Sequence, residues 1–419
     1  MNNSYRALFF APQFAPFANP EAFVNNKLVL AFMARGWHVD VLTRSYGGTV
    51  PYDYGSVWTE PWLPLRNVAH EIKYHTGGAL LKTADTIRCA VKTRRLIEGC
   101  RWAARAFEVA GNLVKKNKYD VIISRAVPDS AHLPAMLLTG KTCIPWIANW
   151  NDPQIMPRVA GDDSIHRSIS MNQRSFLRAV FRRASWHTFP TMRMRNHIMK
   201  HLDIDVTSKS SIIPHCGLAI QQRVITKDKN KVFTICHAGN AYRKRLSDVF
   251  LKGLTRFLHN HDSDSENVMV FFAGKREDWF ADYIRKNCLE NTIILKGSLT
   301  YEESNTLISE SDVVLILEEP YDEGVFLPAK FVDYVQSGRP ILSISPQNGT
   351  MYDILTEHGG GITACCSEDS VYNALCRLYE SWKEGTLNMQ YGSSHLYRLF
   401  APSTILKEYE NIFARLIKN

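Results

Sequence analysis

A short stretch in the second half of the chain combines an acidic loop with the start of a helix. The loop carries Glu323 beside Gly324 and follows the apolar run Val313–Leu317, which predicts a buried strand. Pro328 then begins a predicted helix, at a position where its missing N–H costs nothing. The first helical turn offers backbone N–H groups and the positive end of the helix dipole, and Lys330 adds a charge. These features predict a site for an anion such as a pyrophosphate.

This loop and helix resemble the donor-binding signature of the GT-B glycosyltransferases, in particular the retaining glycosyltransferase family 4. The family carries an E-x7-E element with a glycine five residues after the second acid. Glu323 matches the first acid, which in the family contacts the donor sugar together with the neighbouring residue, here Gly324. Asp333, five residues before Gly338, matches the second, which holds the nucleotide ribose. The spacing is ten residues rather than eight, and it fits better a subgroup with Pro, Lys, Asp and Tyr placed as in 328–334.

Two further segments of the second half fit the resemblance. In the family, a glycine is followed by an arginine and, five residues on, by a lysine, and both neutralise the leaving pyrophosphate. Here Gly239 is followed by Asn240, and Arg245, which also fits a solvated helix start, takes the place of the lysine. The missing phosphate contact would come from Arg243 or Lys330. The remaining donor contacts implied by the resemblance lie in the base-binding loop and at the helix start: Gly297, Leu299, Pro328 and Ala329.

The first half would hold the acceptor. Asp152 follows a predicted strand and resembles a D-P element of bacterial exopolysaccharide and O-antigen enzymes, but it also fits a turn former before Pro153. His132 is a second candidate, and it also fits a satisfied histidine at a helix end. A loop rich in Phe and Pro, residues 12–19, lies where family members cover the acceptor, which adds Asn19 to the candidates.

Short apolar runs alternate with helical stretches along both halves, which is typical of parallel sheets with crossover helices. We predict an α/β protein of the GT-B type, with two doubly wound, Rossmann-like domains that face an interdomain cleft. Residues 1–220 would form the acceptor-binding domain, completed by a helix at about 400–419, and residues 221–399 the donor-binding domain. The predicted strands are 7–10, 38–43, 119–124, 143–148, 232–237, 268–273, 292–295, 312–317 and 340–343, with one more that ends in a glycine turn within 209–217 and another that follows the glycines 359–361. The predicted helices include 21–35, 130–138, 279–287, 301–309, 329–337, 371–384 and 402–417.

Composition disfavours several classes of protein. Of 419 residues, 45% are apolar and 22% charged, which indicates packed cores rather than disorder. No apolar run reaches the ~18 residues of a membrane-spanning helix, and we expect a cytoplasmic protein. The nine scattered cysteines disfavour a disulfide framework or structural zinc, and the first loop lacks the G-x-G-x-x-G of nicotinamide and flavin sites. Asp262 and Asp264 fit a metal motif only nominally, since they lie in a polar loop ahead of a strand, and we expect no metal or other cofactor.

Positive charge is concentrated in the first half. The net charge is +9, yet residues 88–118 hold nine basic and two acidic residues, and residues 167–200 hold eight basic and no acidic ones. The first run mixes these cations with apolar residues, as an interfacial helix does. Either a solvated helix face or docking on an anionic membrane would explain both runs. We disfavour nucleic acid because the sequence contains no recognised binding module.

Together these features predict a retaining glycosyltransferase that moves a sugar from a nucleotide-sugar to a glycan or lipid-linked acceptor of bacterial surface polysaccharide. UDP is the default nucleotide because it is the commonest in the family. Arg245, Lys330 and the helix N-terminus would stabilise the leaving diphosphate without a metal. Two alternatives remain: a GT-B sugar-nucleotide 2-epimerase, which needs no acceptor or membrane, and a non-catalytic binding protein, which would tolerate the departures at Asn240 and Asp333.

Overall fold

The computed structural model describes residues 4–17, 19–45, 60–73, 79–160, 169–219, 231–242, 247–261 and 267–417. The chain forms two compact units. The first unit contains Met1–Met156, Arg167–Ala219 and Ala401–Asn419. The second contains Pro157–His166 and Ile220–Phe400. A short piece of the first half therefore belongs to the second unit, and the end of the chain returns to the first.

The described part of the first unit contains a seven-stranded sheet in which every pair of neighbours is parallel. Its strands are β1 (Arg6–Phe10), β2 (His38–Arg44), β3 (Ala69–Ile72), β4 (Val121–Ala126), β5 (Trp146–Trp150), β6 (Trp186–Phe189) and β7 (Ser210–Ile212). Its helices are α1 (Pro20–Ala34), α2 (Ala79–Thr93), α3 (Cys100–Lys116), α4 (His132–Thr142), α5 (Met171–Arg183), α6 (Met192–Leu202) and, at the end of the chain, α15 (Pro402–Ile417).

The second unit contains, within its described residues, a six-stranded parallel sheet. Its strands are β8 (Phe233–Ala238), β9 (Val268–Ala273), β10 (Ile293–Gly297), β11 (Val313–Leu317), β12 (Ile341–Ile344) and β13 (Gly361–Ala364). Its helices are α7 (Ser247–Asn260), α8 (Asp278–Lys286), α9 (Tyr301–Glu310), α10 (Ala329–Ser337), α11 (Thr350–His358), α12 (Glu368–Lys383), α13 (Leu387–Tyr391) and α14 (Tyr397–Phe400).

Strand order identifies where each sheet can bind a ligand. The orders are β3-β2-β1-β4-β5-β6-β7 and β10-β9-β8-β11-β12-β13, so the direction of progression reverses beside β1 and beside β8. At such a switch point the loops after neighbouring strands diverge and leave a crevice at the carboxyl ends. The crevices are therefore expected beside the ends of β1 and β4 in the first unit and of β8 and β11 in the second.

The structure confirms most of the predicted elements. Strand 268–273 and helices 329–337 and 402–417 have the predicted bounds. The strand predicted at 143–148 is instead β5, because Cys143 ends α4 in the left-handed conformation, with φ 57°. The prediction omitted β3 and β6, which have only four residues each and include polar side chains.

Candidate functional site

Three neighbouring strands of the second unit end at glycines whose backbones are in close contact. The amide of Gly274, after β9, donates to the carbonyl of Gly297 at the end of β10, at 2.7 Å, and the amide of Gly239, after β8, donates to Ala273 O, also at 2.7 Å. A Cβ at position 274 would lie 2.5 Å from the carbonyl oxygen of Gly239, and φ there is +141°. Only glycine fits at this position. We call Gly239, Gly274 and Gly297 the glycine shelf, a sheet edge without side chains where a ligand can approach the backbone.

The ammonium group of Lys330 rests on this shelf. A Cβ at Gly239 would lie 2.1 Å from Lys330 Nζ, so the lysine occupies the space that a side chain would fill. Nζ is also 3.4 Å from Nε2 of His237, which is fully buried on β8. The other ring nitrogen, Nδ1, lies 2.8 Å from Leu315 O. Because a carbonyl can only accept, Nδ1 carries the proton and Nε2 offers a lone pair to the lysine.

The N-terminus of α10 lies beside the same strand ends. Pro328 is its N-cap residue and provides no side-chain hydrogen bond. Further along the helix, the Tyr334 hydroxyl accepts from the Ala238 amide at 2.9 Å and donates to Leu315 O at 3.3 Å. Tyr334 thereby fixes α10 against the ends of β8 and β11. The structure thus brings together Gly239, Lys330 and the first turn of α10, with Ala329 at its first position, and anion binding there stays a prediction.

A tyrosine joins the two segments predicted to hold a nucleoside. Tyr301 begins α9, directly after the segment that contains Gly297 and Leu299, and its hydroxyl donates to Asp333 Oδ1 at 2.8 Å. Burial, with the charge of Asp333, raises the pKa of Tyr301 well above its usual value, so the phenol stays a donor. The structure therefore places Asp333 close to the predicted base-binding loop. Sequence reasoning missed Tyr301 because no local pattern links positions 301 and 333.

Asn240, predicted as a donor contact, has a structural bond in the described residues. Its Oδ1 accepts from the Lys275 amide at 3.0 Å, and the next residue, Ala241, pairs with Arg276. The side chain thereby joins the loops that follow β8 and β9. This bond accounts for an asparagine where the family has an arginine, and a contact with phosphate stays a prediction. Arg243 and Arg245 lie outside the described residues.

The loop that carries Glu323 is held from two sides. The amide of Gly324 donates to Asn348 O at 2.9 Å, and its carbonyl accepts from the Thr350 amide at 2.7 Å, at the start of α11. On the other side, the amide of Asp322 donates to Arg158 O at 2.9 Å, which anchors the piece of the first half that belongs to this unit. Glu323 itself is partly exposed, beside this pinned backbone.

The acceptor candidates lie in the first unit, in three different settings. Asp152 is exposed, directly after β5 and Asn151. Asn19 caps α1, where its Oδ1 accepts from the Ala22 amide at 2.9 Å and its Nδ2 donates to Gln13 at 2.9 Å. The side chain of Asn19 therefore has a structural role, and its contact with an acceptor stays a prediction.

His132 is a core residue. Its ring is fully buried, 4.4 Å from the ring of Trp150, and Nδ1 lies 2.7 Å from Ser124 Oγ. Burial lowers the pKa of His132 to about 3, so the ring is neutral. A completely buried ring does not offer a surface contact, and the structure favours the alternative interpretation, a histidine of the helix end packed in the core.

The described ranges contain no cluster of three or more His, Cys, Asp or Glu side chains that could hold a metal ion. Asp262 and Asp264, considered above, lie outside those ranges. None of the helices in the described part of the chain is long and apolar enough to cross a membrane.

Solved structures with the same arrangement of elements identify the fold. Anabaena Alr3699/HepE in complex with UDP and glucose matches with a TM-score of 0.66 at 12% identity, over 98% of this chain and 100% of that one. Sucrose-phosphate synthase from Thermosynechococcus elongatus matches with a TM-score of 0.66 at 12% identity, over 99% of this chain and 100% of that one. A putative UDP-N-acetylglucosamine 2-epimerase from Listeria monocytogenes matches with a TM-score of 0.58 at 11% identity, over 99% of this chain and 98% of that one. No family model and no curated protein matches the sequence. The chain has the GT-B fold, as predicted.

The contact between His237 and Lys330 predicts how two substitutions differ. His237→Asn keeps a donor near Leu315 O but has no group at the position of Nε2, whereas His237→Gln can place its amide oxygen there. We expect the Asn variant to bind pyrophosphate about tenfold more weakly and the Gln variant to stay within about threefold, since a hydrogen bond to a charged group contributes about 1.5 kcal/mol. Calorimetry checks this, with thermal unfolding as the folding control. Equal affinities in the two variants would contradict a role for Nε2.

Tyr301→Phe separates the nucleoside part of the site from the anion part. Without the phenol, Asp333 is no longer held beside the predicted base loop, and we expect UDP binding to weaken about five- to tenfold. Pyrophosphate binding should not change, because Lys330 and α10 are untouched. Titration of one protein sample with both ligands measures the difference, and parallel losses for both would argue against this division of the site.

Proposed function

We propose that this protein is a retaining glycosyltransferase that transfers a sugar from a nucleotide-sugar, a UDP-sugar by default, to a hydroxyl of a glycan or lipid-linked acceptor. The observation that carries the proposal is the position of the Lys330 ammonium on Gly239, beside the N-terminus of α10. A lysine and a helix N-terminus together suit a diphosphate. The resemblance to glycosyltransferase family 4, and a place in bacterial surface polysaccharide synthesis, are parts of this proposal.

The roles of the site residues follow from the chemistry of transfer. The bond between the anomeric carbon and the diphosphate oxygen breaks while a bond to the acceptor oxygen forms, so negative charge grows on the leaving group. The proton of the acceptor hydroxyl passes to the departing diphosphate oxygen. Lys330, Arg245 and the first turn of α10 would stabilise that charge without a metal. Asp333, held by Tyr301, would bind the ribose, and the loop with Gly297 and Leu299 would bind the base. Glu323 would orient the sugar from its pinned loop.

The rival functions differ in what they need besides the donor. A sugar-nucleotide 2-epimerase would convert the donor without an acceptor; the Listeria protein, which this chain resembles in fold, is named as a putative enzyme of this kind. A non-catalytic protein would bind a nucleotide-sugar or a glycan without catalysing any reaction. The observation against the epimerase is the exposed surface of α2, described next, because an enzyme acting only on a small nucleotide has no use for a membrane-binding helix.

Helix α2 has an apolar stripe on its outward side. Leu80, Ile87 and Val91 are 88%, 58% and 73% exposed and lie three or four residues apart in succession with Ala84 between them. The opposite side of α2, at Cys89, is buried against its own unit. A surface helix ordinarily turns its apolar stripe inward, and this one does the reverse.

Basic residues lie beside the stripe, although other basic residues of the first unit form ion pairs within the protein. Arg88 and Arg94 are exposed beside the stripe, whereas Arg101 and Arg105 both pair with Asp85, at 2.7 and 3.0 Å. An apolar stripe flanked by cations is typical of interfacial helices, and each cation near an anionic leaflet adds about 1 kcal/mol. We propose that α2 holds the protein on the inner face of the cytoplasmic membrane, where a lipid-linked acceptor would be met.

The second basic run fits the alternative interpretation better. Arg174 donates to His201 O at 2.6 Å, and Arg178 donates to Leu202 O at 2.8 Å. These arginines satisfy carbonyls at the C-terminal end of α6, where positive charge is favourable. We therefore assign the membrane contact to α2 rather than to residues 167–200.

Nucleotide binding tests the donor site. Calorimetry with UDP, GDP, dTDP and ADP in the presence of EDTA should give micromolar binding of one nucleotide, and Asp333→Ala should weaken that binding at least tenfold. Asp282→Ala, on the exposed side of α8, is the matched control and should leave it unchanged. The bound nucleotide then selects the sugar donors for turnover assays. Turnover of donor without acceptor would identify the epimerase, and binding without any turnover the non-catalytic protein.

Vesicle binding tests the surface of α2. The double variant Ile87→Asp, Val91→Asp should lower the partition coefficient on vesicles of phosphatidylglycerol and phosphatidylcholine at least about tenfold. The reason is that it loses two apolar side chains that would insert into the bilayer. Met389→Asp, another exposed apolar position, should leave it unchanged. Co-sedimentation measures both. Equal binding of the double variant and the wild type would exclude α2 as the contact.

A further inference from the structure

A polar network joins three elements at the switch point of the first unit. Arg125 is buried in β4, and its Nε donates to Asn25 Oδ1, in α1, at 2.6 Å. Its Nη2 lies 3.4 Å from Asn151 Oδ1, directly after β5. Because guanidinium groups only donate, both asparagines must point their carbonyl oxygens at Arg125. Their NH₂ groups are then turned the other way.

Both NH₂ groups meet one oxygen of Glu21, in the first turn of α1. Asn151 Nδ2 donates to Glu21 Oε1 at 2.6 Å, and Asn25 Nδ2 donates to the same atom at 3.2 Å. Among the groups that the structure describes, none bonds the second oxygen, Oε2, and the residue is partly exposed. The network therefore fixes the carboxyl group in place and leaves Oε2 as its outward atom.

The surroundings also determine which oxygen carries a proton. Burial of the carboxyl group raises the pKa of Glu21 to about 8; the charge of Arg125 opposes this shift, and that of Asp152 adds to it. These are the charged groups that face Glu21, from β4 and from the segment after β5. Glu21 is accordingly protonated at neutral pH. The proton lies on Oε2, since Oε1 already accepts two N–H groups.

We propose that Glu21 Oε2 and the carboxylate of Asp152 together bind a hydroxyl-bearing sugar of the acceptor, with Glu21 as donor and Asp152 as hydrogen-bond acceptor. This rests on the proposed function, because it names the group that holds its second substrate. A sugar hydroxyl both donates and accepts, and a protonated acid beside an ionised one offers it a partner for each role. Asp129, another carboxyl group of this unit whose pKa is raised by burial, differs in this respect: its Oδ2 accepts from Gln173 Nε2 at 2.6 Å, and its Oδ1 is buried.

The test measures glycoside binding directly, on the full-length protein and without nucleotide. Saturation-transfer difference NMR is recorded with the methyl glycosides of glucose, galactose, mannose and N-acetylglucosamine. Glu21→Ala removes the carboxyl group, and Glu21→Gln keeps the two amide contacts and a donor at the position of Oε2. The matched control is Glu368→Gln, an exposed glutamate in the first turn of α12.

At least one glycoside should give a signal that falls fivefold or more in Glu21→Ala and persists in Glu21→Gln and in the control. Raising the pH from 7 to 9.5 should weaken the wild-type signal and spare that of Glu21→Gln. The proposal is overturned if no signal depends on Glu21, or if the Gln and Ala variants lose it equally. UDP calorimetry on the same samples separates the two hypotheses, since glycoside binding that depends on Glu21 in a protein that binds no nucleotide would contradict only the proposed function.

Stability against pH gives a second readout of the protonated state. The pKa of Glu21 rises from 4.5 to about 8 on folding, so its favourable contribution is complete below pH 4.5 and is lost as the pH rises through 8. Glu21→Gln does not ionise. Its midpoint of thermal unfolding should therefore increase relative to the wild type, by a few degrees, between pH 5 and pH 9. A difference that stays constant over this range would contradict the protonation assigned to Glu21.

Discussion

The close approach of two backbone segments governs the site of the second unit. Because a Cβ at Gly274 would meet the carbonyl of Gly239, the loops after β8 and β9 can lie side by side only without side chains. The space beside Gly239 is then occupied by the ammonium group of Lys330, which lies in the first turn of α10. A larger residue at position 239 would displace the lysine, and with it the charge at the start of the helix.

Much of the fold could be predicted because local patterns determine it. The run Val313–Leu317 is buried at every position, as expected for a parallel strand covered on both faces, and Pro328 and Gly338 bound α10 as their backbone preferences require. The strand β6 has only four residues, with His187 and Thr188 in its middle, so it does not form an apolar run like Val313–Leu317. Its place in the sheet depends on pairing with β5 and β7, which are remote in the chain.

The candidate site in the second unit could be predicted only where its residues lie in one segment of the chain. Lys330 and Asp333 lie on one helix, so their spacing already implied a common surface. His237, Tyr301 and Glu21 were missed because each acts through a residue tens of positions away, and nothing in the sequence marks such a pairing. Asn240 is the converse case. The sequence indicated a departure from the pattern of the family that it resembles, and the bond to the loop after β9 gives the asparagine a physical reason.

In both units a second side chain holds the outward polar group in place. His237 faces Lys330, Tyr301 holds Asp333, and Arg125 sets the two amides that hold Glu21. Such supporting groups keep a polar site in place before a ligand arrives. The charges differ in kind. The second unit presents a cation, which would suit the anionic donor that we propose, whereas the first covers its buried Arg125 with neutral amides and a protonated acid. A surface of that second kind suits hydroxyl groups better than phosphates, because it offers paired donors and acceptors and little net positive charge.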